Sequence, residues 1–156
     1  MQIISHSPKE TLKLGKSIAR FLNSGDIICL IGELGSGKTV LTKGIAQGLG
    51  IDKSKVTSSS FILIREHLNG RLPLYHFDLY RLDEIKSISL LGIEEYIYGD
   101  GVTIIEWAQR LKSLIPKECL MIKLLYLPGS KRKIKFSSKG VGYKKIAKHI
   151  YEDFRH

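Results

Sequence analysis

The chain is 156 residues long, 43% of its residues are apolar, and its formal net charge is +10. This length suits one globular domain over residues 1–156, and the apolar content excludes a disordered or fibrous chain. No apolar run approaches the roughly 20 residues that a membrane-spanning helix needs, and the first residues lack a secretion signal, so we expect a cytoplasmic protein without a membrane partner.

The first predicted elements are a helix and a buried strand. Residues 7–10 (SPKE) form a capping box, which predicts a helix start, and residues 23–25 (NSG) end the helical spacing of apolar residues. Ile27–Ile31 is a run of five apolar residues, which is typical of a central strand buried on both faces. Cys29 in this strand and Cys119 later lack C-x-x-C spacing, so we expect buried thiols in a reducing compartment.

A glycine-rich loop joins this strand to a second predicted helix. Residues 32–39 read GELGSGKT and match the pattern G-x-x-x-x-G-K-[ST]. In this pattern the loop amides surround phosphate oxygens, the lysine reaches the outer phosphates and the hydroxyl ligates magnesium. A plain turn does not need three glycines and a lysine after a buried strand, so we favour a nucleotide site. The predicted binding residues of the loop are Glu33, Leu34, Gly35, Ser36, Gly37, Lys38, Thr39 and Val40.

The rest of the chain predicts further strands and helices. Strands are predicted at 61–64 and 72–77 around an Asn69-Gly70 turn, at 102–105, and at 120–127 and 133–136 around Pro128-Gly129. Helices are predicted at 83–91, 93–98, 108–114 and 143–154. The two strands around the Asn69-Gly70 turn suggest an antiparallel element in the sheet.

Two acids end predicted strands and could serve a metal ion or a water molecule. Glu106 follows an apolar strand, the placement expected of the acid beside the metal, and Asp78 follows another strand in the same manner. We assign Glu106 to magnesium, and Asp78 to water orientation or the metal's outer environment. The sequence leaves this division open, and a strand-end cap is the alternative for each acid. Lys38, Asp78 and Glu106 form the predicted catalytic set.

Three neighbouring positions have open interpretations. His76, two residues before Asp78, is favoured as a buried core histidine. Trp107 either lines the site or packs in the core. Residues 58–60 (SSS) are either a loop that senses the terminal phosphate or a solvated turn.

The positive charge is concentrated at the C-terminal end. Residues 117–156 contain eleven Lys and Arg against three Asp and Glu, a net charge of +8. Such a region attracts nucleic acid or an acidic partner. A solvated lysine-rich surface is an equal alternative.

Together these residues resemble the TsaE family, also called YjeE. The resemblance spans nearly the whole chain and comprises the phosphate loop, the H-x-D-x-Y-R-L run at residues 76–82, residues 91–94 (LGIE) and the Glu106-Trp107 pair. It implies a three-layer fold of the P-loop NTPase type with a mixed, mostly parallel central sheet. It also implies ATP and magnesium as cofactors, with Thr39 and Glu106 at the metal and Asp78 near the reacting phosphate.

The resemblance adds two nucleotide-proximal residues and a set of partners. Thr11 looks like the family position near the nucleotide, and Arg132 or its neighbour Lys133 looks like the family's basic residue close to it. Family members act with the proteins TsaD and TsaB in making threonylcarbamoyladenosine in tRNA, and ATP is thought to reset that complex. The basic C-terminal region would then be free to contact tRNA or a partner.

The chain departs from the family pattern at one segment, and one alternative to the implied function stays open. The family usually has Ser-Pro-Thr-Phe where this chain has residues 58–61 (SSSF), and losing the proline should loosen the loop. The expected function is a magnesium-dependent ATPase, slow alone, that regulates a TsaD–TsaB complex. The alternative is a nucleotide-switched module that binds RNA or protein without significant turnover.

Overall fold

The computed structural model describes residues 1–57 and 63–155, with side chains described to residue 154. The strands are β1 Gln2–Ser5, β2 Ile27–Ile31, β3 Ile64–His67, β4 Leu74–Asp78, β5 Val102–Glu106, β6 Cys119–Tyr126 and β7 Arg132–Lys139. The α-helices are α1 Pro8–Ala19, α2 Lys38–Gly48, α3 Ile85–Ser89, α4 Ile93–Ile97 and α5 Val141–Arg155, and short 3-10 segments cover Lys53–Lys55 and Ala108–Leu114.

The seven strands form one mixed sheet in the order β1-β7-β6-β2-β5-β4-β3. The four central strands, β6, β2, β5 and β4, pair in parallel, whereas β1 and β7 at one side and β3 at the other pair antiparallel. The predicted α/β fold with a mixed sheet that is parallel at its centre is therefore confirmed. Because β2 is the middle strand, the loop that follows it opens at the centre of the sheet edge.

Helices cover both faces of the sheet and produce three layers. One core lies against α1, α2 and α5, and a second core lies against α3, α4 and the 3-10 segment Ala108–Leu114. Strand β2 contributes Ile28 and Leu30 to the first core and Ile27 and Cys29 to the second, as its unbroken apolar run predicts. No helix in the described ranges is both long and apolar enough to span a bilayer.

The local signals at the helix ends explain the observed boundaries. Ser7 caps α1 by accepting a hydrogen bond from the Glu10 amide at 3.2 Å, and the Glu10 carboxylate accepts one from the His6 amide at 2.7 Å. Helix α5 is amphipathic, and it is part of the fold because Ala147 and Ile150 are buried in the first core. The helix predicted at residues 143–154 is thus observed at 141–155, with its charged side exposed.

Several predicted boundaries are wrong at the edges of the sheet. Strand β1 was not predicted, because it buries only alternate residues against β7 and its four residues carry little apolar signal. Strand β3 covers 64–67 rather than 61–64, because an edge strand pairs on one side and accepts polar residues. Residues 61 and 62, with the 58–60 loop, lie outside the described residues. The 108–114 helix is 3-10 and is broken at Lys112.

Helices α1 and α2 approach closely because glycines face each other. A Cβ atom at Gly44 would lie 2.3 Å from the Leu12 carbonyl oxygen, and one at Gly15 would lie 2.5 Å from the Leu41 carbonyl oxygen. Both contacts are with backbone, which cannot move without separating the helices. This close packing fixes α2, and therefore the end of the phosphate loop, against the rest of the fold.

We predict that Gly44→Ala lowers the free energy of unfolding by about 1–3 kcal/mol, because the added methyl group overpacks the α1–α2 contact. Urea unfolding followed by circular dichroism measures the change. The matched control is Gly142→Ala in α5, where no heavy atom lies within 4 Å of the new Cβ. The control should change stability by less than about 1 kcal/mol and in the favourable direction. Equal losses in both variants would contradict the packing argument.

Candidate functional site

The phosphate loop, residues 32–39, connects β2 to α2 in a conformation that requires glycine. Gly35 has a φ of 73° and Gly37, which precedes the first residue of α2, has a φ of 104°. Residues other than glycine rarely adopt these φ values. The loop therefore turns sharply enough to direct its backbone toward the start of α2, where the helix contributes unpaired amides and a positive dipole end.

The β6–β7 hairpin holds the outer side of the loop. The Tyr126 hydroxyl donates a hydrogen bond to the Leu34 carbonyl oxygen. Arg132 donates from Nε to the Ser36 carbonyl oxygen at 3.1 Å and from Nη2 to the Gly35 carbonyl oxygen at 3.3 Å. The Arg132 guanidinium also lies 4.5 Å from the centre of the Tyr126 ring. Three consecutive carbonyl groups are thus held on the hairpin, which leaves the opposite side of the loop for a ligand.

Lys38 folds back onto the loop that precedes it. Its Nζ atom donates to the carbonyl oxygens of Gly32 at 2.8 Å and Glu33 at 2.7 Å, and it lies 4.2 Å from the centre of the Trp107 ring. Only 4% of the residue is exposed. The ammonium is therefore held at the mouth of the loop by neutral acceptors and a ring face, which an anion could replace.

Two opposite effects act on the pKa of Lys38. Loss of hydration on burial lowers the pKa of its ammonium, while the negative charges of Glu106 and Asp78 raise it; burial dominates, and the net pKa is below the ordinary value. A partly dehydrated cation of this kind gains more from a phosphate group than a fully hydrated one does. The lysine is consequently suited to an anionic ligand.

Glu106 is the best-connected side chain of the site. One carboxylate oxygen accepts hydrogen bonds from the Thr42 hydroxyl at 3.0 Å and contacts His76 Nε2 at 2.9 Å, and the other accepts from the Thr39 hydroxyl at 3.1 Å. Burial raises the pKa of this carboxyl, but the bonds from His76, Thr42 and Thr39 outweigh that effect and hold the pKa below its ordinary value. Glu106 is therefore a buried carboxylate.

His76 belongs to the site through a contact with Glu106 that was not predicted from the sequence. It is buried, as expected of a core histidine, but its Nε2 faces Glu106 across the β4–β5 pair. An ionised carboxylate can only accept a hydrogen bond, so Nε2 is the nitrogen that carries the proton in the neutral ring. The Nδ1 atom is buried without a hydrogen-bond partner among the described residues. Only the pairing of β4 with β5, which local patterns do not reveal, brings the two side chains together.

Asp78 ends β4 one strand further from the loop than Glu106. The two acids are paired in register at the ends of neighbouring parallel strands, in the sheet order β2-β5-β4. The Asp78 carboxylate accepts a hydrogen bond from the Tyr80 amide at 3.0 Å and is 9% exposed. This position is compatible with the predicted outer role of Asp78, beside the acid assigned to the metal.

A cavity of about 280 Å³ adjoins the loop and collects most of the predicted residues. It is lined by Leu34, Gly35, Gly37, Lys38, Thr39, Val40, Glu106 and Trp107. Trp107, whose backbone has a left-handed φ of 59°, lines the site and also packs against the second core. A cavity of about 360 Å³ elsewhere lies against α3 and α4, includes no loop residue, and lacks the phosphate-binding geometry.

Five predicted residues do not line this cavity. Glu33 and Ser36 belong to the loop, Asp78 ends β4, and Arg132 begins β7. Thr11 is buried on α1. The Thr11 hydroxyl lies 2.8 Å from the Ser5 hydroxyl and 3.3 Å from the Ser7 carbonyl oxygen, so neighbouring protein atoms already satisfy it. Its methyl group comes close to Gly37, which makes it a support beneath the loop.

The donor set of the site suits a hard cation. Thr39 and Glu106 offer only oxygen atoms, which magnesium prefers, and they adjoin each other within hydrogen-bond distance. No cluster of three or more His, Cys, Asp or Glu side chains suited to a metal occurs in the described part of the chain. The pair therefore fits a metal that is shared with a phosphate ligand better than a cage built wholly from protein.

The sheet order, the loop and the start of α2 define the class of this protein as a P-loop α/β protein. The model of the family described as "Threonylcarbamoyl adenosine biosynthesis protein TsaE" matches residues 5–134. The chain belongs to the TsaE family. The resemblance and the fold class inferred from the sequence are thereby confirmed.

Curated relatives and a solved structure agree with this assignment. The chain is 39% identical to the "tRNA threonylcarbamoyladenosine biosynthesis protein TsaE" of Bacillus subtilis, over 92% of this chain and 89% of the relative. It is also 39% identical to the protein of the same name from Treponema pallidum, over 86% and 98% of the two chains. The crystal structure of Bacillus subtilis YdiB superposes with a TM-score of 0.83 at 36% identity, covering 98% of this chain and 95% of that chain.

We predict that Glu106→Gln removes a component of the acid dependence of stability. The folded pKa of Glu106 lies below the ordinary value of 4.5, so its contribution is present above that value and lost as the pH falls through the folded pKa. Denaturant unfolding between about pH 7 and pH 3 should show a steeper loss for the native chain than for the variant. The control is Glu94→Gln at an exposed position of α4, which should retain the native profile. Parallel profiles for the native chain and Glu106→Gln would contradict the assignment.

Proposed function

We propose that this chain is a magnesium-dependent ATPase of the cytoplasm that takes part in the biosynthesis of threonylcarbamoyladenosine in tRNA. The pathway is the one stated in the names of its Bacillus subtilis and Treponema pallidum relatives. The observation that carries the ATPase proposal is the contact of Glu106 with Thr39, the last residue of the phosphate loop, beside the Lys38 ammonium. This contact brings a carboxylate that could bind magnesium next to the loop that would hold the phosphates.

The loop would hold ATP by its backbone and by one side chain. Amides at the start of α2 and in the glycine turn would donate to phosphate oxygens, helped by the helix dipole. Lys38 would exchange its bonds to the Gly32 and Glu33 carbonyls for charge-assisted bonds to the outer phosphates, which are stronger. Trp107, which lines the cavity and contacts the Lys38 ammonium, would exclude water from that exchange.

The acids would hold the metal and position the attacking water. Thr39 and Glu106 would bind magnesium, which neutralises charge on the phosphates when bound. The Thr42 hydroxyl and His76 Nε2 would keep the Glu106 carboxylate oriented and ionised, because both contact the same oxygen. Asp78, at the end of the adjacent strand, would orient water or the metal's outer ligands.

The same proposal includes partners. We propose that proteins similar to TsaD and TsaB bind the chain, and that ATP binding and hydrolysis reset their complex between turnovers. The loop is held by Tyr126 and Arg132 of the hairpin, so a partner that displaced either side chain would change the loop directly. Hydrolysis would then be slow in the isolated chain and faster in the complex.

A second candidate is a nucleotide-switched module that binds RNA or protein without significant turnover. The observation that favours it is the net charge of +8 in residues 117–156, which the ATPase proposal does not use. Removing the C-terminal helix would not test it, because α5 contributes Ala147 and Ile150 to the core. Turnover measured in the presence of the partners separates the two candidates.

We predict that Lys38→Ala reduces ATP turnover at least about 100-fold, because the loop loses its only side-chain cation for the outer phosphates. Phosphate release under single-turnover conditions measures the effect. Lys43→Ala, on the same helix but outside the cavity lining, is the control and should retain turnover. Turnover that survives Lys38→Ala would refute the ATPase proposal.

We also predict that partner proteins raise the affinity for ATP and magnesium. Calorimetric titration of the chain, alone and with a TsaD and TsaB pair, measures the two dissociation constants. A rise of about tenfold corresponds to a coupling free energy of about 1.4 kcal/mol, within the usual range for linked sites. Identical affinities, with the complex verified by sedimentation, would contradict the proposed regulation.

A further inference from the structure

One face of the sheet has no helical cover at strands β1, β7 and β6. Ile134 and Phe136 of β7 point into the first core, against α1 and α5. The alternate residues Lys133 and Lys135 lie on the other face, and neither core includes a residue from that face of β7. Here the second core reaches only as far as Cys119 and Met121 of β6.

This uncovered face carries lysines that oppose each other. Lys123 of β6 pairs directly with Lys135 of β7, so their side chains share one face and both are exposed. Like charges at directly opposite positions of antiparallel strands destabilise a sheet. Lys133 and Lys139 lie on the same face of β7, and none of the four lysines forms a salt bridge with a described residue. The fold therefore accepts an unfavourable charge arrangement that packing does not require.

The shape and chemistry of the face suit a regular polyanion. The neighbours of the lysines are small, amide or aliphatic, namely Gln2 and Ile4 of β1, Ile31 of β2, Leu125 of β6 and Ser137 of β7. Strand spacing places adjacent lysines about 5 Å apart across strands and about 7 Å apart along β7. No aromatic side chain lies on this face within the described strands, so it offers phosphate contacts rather than base stacking.

The opposite side of the hairpin is a poorer polyanion site. Helix α5 also carries exposed lysines, but Lys148 lies 3.7 Å from Glu152, and Asp153 follows in the next position. These carboxylates repel phosphate groups. The described residues on the uncovered sheet face include no acid, so the sheet face has the stronger charge complementarity to a polyanion.

We propose that the uncovered face of β1, β7 and β6 binds the phosphate backbone of folded tRNA, with Lys123, Lys133 and Lys135 as the contact residues. This inference rests on the proposed function, because tRNA is the polyanion of that pathway. The strands of this face end at Tyr126 and Arg132, which hold the phosphate loop. Bound tRNA would therefore contact the strand pair that supports the nucleotide site.

The test compares two charge-matched double variants of the full chain. Lys123→Gln with Lys135→Gln alters the sheet face, and Lys144→Gln with Lys145→Gln removes the same charge from α5. Fluorescence anisotropy measures binding of a labelled, unmodified tRNA transcript between about 50 and 200 mM salt. We expect the sheet variant to lose about tenfold in affinity and its salt slope to fall by about 2, while the α5 variant changes little.

Two further readouts keep the outcomes separate. Thermal unfolding should show the sheet variant at least as stable as the native chain, because it removes the Lys123–Lys135 repulsion. Calorimetric ATP binding should be unchanged in both variants, and its absence in the native chain would refute the proposed function without affecting the tRNA result. Equal losses in the two double variants, or no loss in either, would overturn the inference. Polyglutamate serves as a second probe, which stands for an acidic protein. If the sheet variant lost binding to polyglutamate but kept its binding to tRNA, the inference would be overturned in favour of an acidic protein partner.

Discussion

The buried Glu106 carboxylate connects the parts of the site that the chain supplies separately. It ends β5, accepts hydrogen bonds from Thr39 and Thr42 on α2, and contacts His76 on β4. A buried carboxylate is costly unless it is well paired, so these bonds fix the position of α2 against two strands. The orientation of the first turn of α2, and hence of the phosphate loop, depends on this one side chain.

The loop itself is constrained from two further directions. Glycine packing holds α2 against α1, with a backbone approach at Gly44 that no larger residue allows. On the other side, Tyr126 and Arg132 hold the carbonyl groups of the loop. The Lys38 ammonium bonds to oxygen atoms of its own loop and contacts Trp107. The chain thus holds the loop by packing and by hydrogen bonds from several sides, and it places one cation at the mouth of the loop.

The sequence predicted the centre of the fold better than its edges. The five apolar residues of β2 and the glycine loop carry strong local signals, and the observed strand matches the prediction residue for residue. Glu106 and Asp78 were found because apolar runs end at them, although their roles stay predictions. Strand β1, the shift of β3 and the His76–Glu106 contact were missed. Each depends on which strands become neighbours, and no local periodicity encodes that order.

The most direct test of the account is a crystal structure of the chain with magnesium and a non-hydrolysable ATP analogue. The account predicts that the phosphates occupy the loop, that Thr39 and Glu106 lie at the metal, and that Lys38 leaves the Gly32 and Glu33 carbonyls for the outer phosphates. A nucleotide bound outside the loop, or a Lys38 that keeps both carbonyl bonds in the complex, would contradict it.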